Sequence, residues 1–199
     1  MAKPMNRRKA VRLLAAAPLA AAFDFGPIEV ARAVANGRAA RNAGQDYEPR
    51  FFTAHEWETV RLLVDLIIPA DERSGGATDA GVPEFMDYIM MDGDDERRTA
   101  MRGGIAWLDT ECRERFGRSF IECFDGERRK VLDDIAWPGK ARPELSQGVA
   151  WFNSFRDLTA SGFWSSEMGV EDIGYIGNTA TEWKGCPQEQ LDKLGVSYD

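Results

Sequence analysis

TAHEWETVRLLVDLIIP, residues 53–69, decides the fold class. Thr53 and Glu56 stand at capping-box spacing, where each side chain satisfies an orphan amide at a helix start. Trp57, Val60, Val64 and Ile67 then follow at helical spacing. Leu62, Leu63, Leu66 and Ile68 make the last turns apolar on nearly every side, which predicts a central, buried helix. Pro69 ends it. His55, the single histidine of the chain, falls in the first turn and reads as a surface residue. Glu56 and Glu58 beside it suit the positive end of the helix dipole.

The same periodicity recurs downstream. After the long loop 70–83, its last residue, Pro83, sits well at the start of a helix carrying Phe85, Tyr88 and Ile89. The run 92–95, DGDD, breaks the chain, and a long helix is expected over 96–116. Its stripe is Met101, Ile105, Leu108 and Cys112, Gly103-Gly104 weaken or kink it, and Gly117 caps it. Further helices are expected over 127–138 and 143–163, the latter with Trp151, Phe155 and Leu158 in register. Beyond Phe163 the pattern fades into a Gly- and aromatic-rich, irregular segment, followed by a short helix near 187–194. No alternating strand pattern occurs. The expected class is all-α: a small helical domain with long loops and an irregular C-terminal segment.

With 199 residues the chain is long enough for one domain with its own core. Its charge is uneven. Residues 1–45 carry eight basic and two acidic side chains; the other seventeen basic residues face thirty-one acidic ones. An acidic body argues against nucleic-acid binding. The basic head, MNRRKAVRLLAAAPLAAAF (5–23), resembles a twin-arginine export signal, with Arg7 and Arg8 as the pair and an apolar run behind them. Arg12 interrupts that run. The small-residue runs 20–22 and 33–35 both offer cleavage sites. The expected organisation is a signal over 1–35, a linker over 36–50 within a Gly-, Ala- and Arg-rich stretch that starts near 24, and a helical domain over 51–199.

Folded export usually serves a cofactor, but no cofactor site is readable. There is no phosphate-binding glycine loop. Three cysteines are too few for a four-thiolate cluster, and none pairs at zinc spacing. The acidic run 92–96 lacks the twelve-residue calcium loop and reads as a solvated turn. Cys112 and Cys123 lie eleven residues apart across the Gly117 turn. An intrachain disulfide is one reading, and a buried, apolar Cys112 is the other. Cys186 is the odd cysteine and a candidate for an intersubunit disulfide. Trp164, Tyr175 and Trp183 are core by default, but so many aromatics in an irregular segment also suit a partner interface.

The runs 51–88, 156–178 and 185–195 resemble the gluconate 2-dehydrogenase subunit 3 family, the small subunits of membrane-associated flavin sugar and sugar-acid dehydrogenases. IIPADERSGGATDAGVPEF (67–85) and ASGFWSSEMGVEDIGYIGN (160–178) carry most of the likeness. The resemblance implies an accessory subunit with no catalytic, cofactor-binding or metal-binding residues of its own. It implies FAD in a large subunit, haem c in a cytochrome subunit, and a periplasmic complex associated with the inner membrane. The small subunit's signal would then carry the folded large subunit across. The substrate is not implied, since such subunits accompany several specificities. The competing readings are an independent exported helical protein of binding or structural type, and a dehydrogenase in its own right.

Overall fold

The computed structural model describes residues 23, 25–42, 47–175, 177 and 185–197. Among them are eight α-helices and no strand: α1 (Pro27–Asn42), α2 (Ala54–Ile67), α3 (Val82–Asp92), α4 (Asp95–Phe116), α5 (Asp125–Ala136), α6 (Ser146–Trp164), α7 (Glu167–Asp172) and α8 (Gln188–Leu194). Two 3-10 turns, Phe120–Glu122 and Pro143–Leu145, lead into α5 and α6. The chain is all-α, as its periodicity predicts.

The axis of the fold is α6. It packs against every helix from α1 to α5 and against α7, and it buries Trp151, Phe152, Phe155, Leu158 and Phe163. The expectation that α2 would be the central helix is corrected. Its capping box is present, with Thr53 and Glu56 each receiving the other's amide, and Trp57, Val60, Leu63 and Val64 are buried. Leu62, Leu66, Ile67 and Ile68, however, are only half-buried.

A buried carboxylate fixes the entry to α2. Asp87 of α3 accepts hydrogen bonds from Tyr47 Oη (2.7 Å) and from the amides of Arg50 (2.9 Å), Phe51 (2.9 Å) and Phe52 (3.1 Å). Burial, then the Asp87 bond, raises the Tyr47 hydroxyl above its ordinary pKa.

Residues 27–42, expected within signal and linker, form α1 and lie on α3. Pro27 opens the helix and Glu29 supplies an acid in the first turn. At Gly37 the two backbones come so close that a Cβ would lie 3.1 Å from the Phe85 nitrogen. Ala33 on the same face is buried, and Val30 and Val34 beside it are half-buried against the core.

The Gly103-Gly104 pair does not break α4, which runs unbroken from Asp95, capped by Asp94, to Gly117 at φ 77°. Gly104 is a slot: a Cβ there would fall inside the indole of Trp151 on α6. The contact is reciprocal, since a Cβ at Gly148 on α6 would fall inside the indole of Trp107 on α4. Two glycine–tryptophan locks therefore join these helices.

His55 is more than a surface histidine. Its Nε2 lies 2.6 Å from Oδ2 of Asp109, a buried α4 carboxylate that also accepts the Phe120 amide (2.9 Å) and Arg113 (3.3 Å). The pair ties the start of α2 to the end of α4. Among the described residues, no helix is long and apolar enough to cross a membrane.

Candidate partner interface

The two runs that carry the family likeness meet in space. The first is the loop between α2 and α3, which is held by its own acids. Asp71 Oδ1 accepts the amides of Arg73 (2.8 Å) and Ser74 (3.0 Å), which hold its carboxyl below the ordinary range. Asp65 Oδ1 accepts the Thr78 amide at 2.7 Å, and Asp79 Oδ2 accepts that of Gly76 at 3.0 Å. The Ala77 amide closes the loop onto Ile68 O at 2.9 Å. Gly81, at φ 83°, then turns the chain into α3.

The second run is the end of α6 with α7. Ser166 caps α7, accepting the Gly169 amide (3.0 Å) while its hydroxyl donates to Phe163 O (2.7 Å). Gly169 is required by contact, since a Cβ would strike Phe163 O.

Three contacts join the runs. Phe85 fills the space left by Gly162, where a Cβ would stand 2.6 Å from its ring. Gly75 lies against Met168, with a Cβ position 3.1 Å from its Cε. Arg73 bonds to the Asp172 carbonyl and lies 3.2 Å from its carboxylate. Two hollows flank this junction. One, of about 940 Å³, lies between α1 and α6 and is lined by Phe25, Val30, Val34, Ala160 and Trp164. The other, of about 450 Å³, is lined by Arg38, Phe85, Gly162, Met168 and Glu171. Arg38 and Glu167 form an ion pair between them.

A run of exposed apolar side chains leaves this junction. Trp164 is 42% exposed, its ring set edge-on against buried Phe163. Ile173 and Tyr175 are more than half exposed. Three large apolar side chains are thus presented to water within twelve residues, and aromatic side chains are enriched at protein–protein interfaces. A family model described as gluconate 2-dehydrogenase subunit 3 matches residues 54–185. The chain belongs to that family. The matched range covers both contacting runs and the exposed aromatics. No curated protein and no solved structure matches the chain.

Of the three aromatics singled out in the sequence, the structure thus exposes Trp164 and Tyr175 on one segment; Trp183 lies outside the described residues. So do Arg7 and Arg8. Cys186 is exposed just before α8. Cys112 and Cys123 lie together in the core at the far end of α4, both as thiols. Sequence reasoning missed α1 as a wall of the larger hollow. The available signal was Pro27 followed by Glu29 in an alanine-rich run, which the glycine and arginine content obscured.

Proposed function

We propose that this gluconate 2-dehydrogenase subunit 3 family member is the non-catalytic small subunit of a periplasmic flavin dehydrogenase. It escorts, exports and stabilises an FAD-containing large subunit, and a haem c cytochrome passes the electrons on within an inner-membrane-associated complex. The observation that carries this reading is the exposed Trp164–Ile173–Tyr175 run, lying inside the range that matches a family named as one subunit of a multisubunit dehydrogenase. A chain whose matched region presents such a surface is built to be completed by another protein. The basic head with Arg7 and Arg8 supplies the export address, and a folded, cofactor-loaded passenger explains the choice of that route.

Replacing Arg7 and Arg8 by Lys tests the escort role. Cell fractionation is expected to find both this chain and its flavoprotein retained in the cytoplasm. A flavoprotein that still reaches the periplasm would show that it carries its own address, and the escort role would be wrong.

A further inference from the structure

The strongest observation outside the interface is the meeting of two thiols. Cys112 ends the apolar stripe of α4, and Cys123 follows the 3-10 turn Phe120–Glu122. Both are buried, and each lies close enough to the other to perturb its ionisation. The backbone that presents Cys123 is fixed without help from either sulfur. Gly117 reverses the chain at φ 77°. The Phe120 amide donates to Asp109 on α4 at 2.9 Å. The Phe120 and Ile121 carbonyls accept from Arg128 on α5 at 3.0 and 2.8 Å. Ser119 donates through its amide and its hydroxyl to Glu122 Oε2, at 2.9 and 2.5 Å, within the same turn. Pinned from α4 on one side and α5 on the other, the turn sets Cys123 against Cys112 as a feature of the fold.

We propose that Cys112 and Cys123 are a built-in cross-linking site, oxidised by a protein or small-molecule disulfide to an intrachain bridge that fastens the end of α4 to the turn entering α5. This rests on reading the chain as exported, because such oxidants prevail in oxidising compartments. The Cys123 thiolate attacks one sulfur of the oxidant, and one oxidant thiol leaves. The Cys112 thiolate then attacks the Cys123 sulfur of the mixed disulfide, and the second oxidant thiol leaves. The protein pair loses two protons and two electrons, and the oxidant disulfide gains them as two thiols. Burial, with the neighbouring Cys123 adding to it, pushes the Cys112 thiol up to about 12. Burial raises Cys123 as well. Exchange is therefore slow in the closed fold and fast when the 117–124 turn opens or before it has formed.

The full-length chain carrying Cys186→Ser is reduced and exposed to oxidised glutathione, once while folded and once during refolding from urea. It is then denatured, alkylated and mapped by mass spectrometry without reduction. The expected product is a peptide linked through Cys112 and Cys123, formed at least about tenfold faster during refolding. The linked form is expected to melt about 5–10 °C above the same sample after reduction. Recovery of both cysteines as alkylated thiols or as separate glutathione adducts overturns the proposal, as does a linked form that melts below the reduced one. The oxidant is supplied in vitro, so the outcome is independent of compartment, and the export reading fails separately, by fractionation.

Discussion

Asp87 shows how one side chain can hold a fold's entry point. Its two oxygens take four donors, and three of these are backbone amides of consecutive residues, 50–52. All four partners donate, so the site wants an acceptor on both sides. Asp87→Asn places an NH2 group opposite at least one amide that has nothing to accept with. The cost is therefore that of a buried donor left unmet, not of one lost bond. Asp87→Asn is expected to destabilise the chain by about 2–3 kcal/mol and Asp87→Ala by about 3 kcal/mol or more, read as a lower urea midpoint with an unchanged slope. A loss below about 1 kcal/mol in both variants would mean that water replaces the carboxylate. Nothing local in PEFMDYIM marks this aspartate as buried, because its partners lie about forty residues earlier in the chain. The same is true of His55, whose Asp109 partner lies fifty-four positions away.

Between helices, the deciding contacts are those of small residues with large ones. Gly104→Ala adds helix propensity worth about 1 kcal/mol, yet the new methyl would occupy the place of the Trp151 indole. Overpacking costs about 1–3 kcal/mol or more, so steric cost wins and a net loss of about 1–2 kcal/mol is expected from thermal or urea unfolding. Gly126→Ala in α5 is the control, since a Cβ there meets nothing within 4 Å. It is expected to be neutral or stabilising by up to about 1 kcal/mol. Equal effects at the two positions would deny the lock. At the same scale, α1 bears on processing. Cleavage after Ala35 would cut through a helix whose Ala33 is buried against α3, whereas the run 20–22 precedes it. N-terminal sequencing of the mature chain is expected to place any cut before Phe25, and a mature start near Asn36 would show α1 to be dispensable. These elements also explain what was legible. The capping box, Pro83 and Gly117 are local devices, so the start of α2, the start of α3 and the end of α4 are readable to within a residue. Gly37 and Gly104 look like helix breakers in sequence, and only the backbone or indole facing them reveals them as contacts.

For the molecule as a whole, the proposed role asks which face a large subunit would cover. Trp164, Tyr175 and Trp183 were visible in the sequence as aromatics without a periodic stripe, but periodicity cannot tell a wrapped core segment from an exposed one. That follows only from where α6 ends and α7 turns. Exposure alone does not choose the face either, because Trp137 beyond α5 is 64% exposed and Phe124 is 68% exposed. Trp164 and Tyr175 are favoured because the loop between α2 and α3 and the end of α6 converge beside them, where Arg73 meets Asp172 and Phe85 fills the gap at Gly162. Exposed side chains contribute little to the isolated chain's stability, so Trp164→Ala with Tyr175→Ala is expected to shift its unfolding by less than about 1 kcal/mol. Aromatic anchors at an interface are worth about 2 kcal/mol or more each. Recovery of the flavoprotein with the doubly substituted, affinity-tagged chain is therefore expected to fall at least about tenfold at limiting concentration, while Trp137→Ala leaves it unchanged. The reverse pattern, loss with Trp137→Ala and none with the pair, would move the docking face to the α5 end.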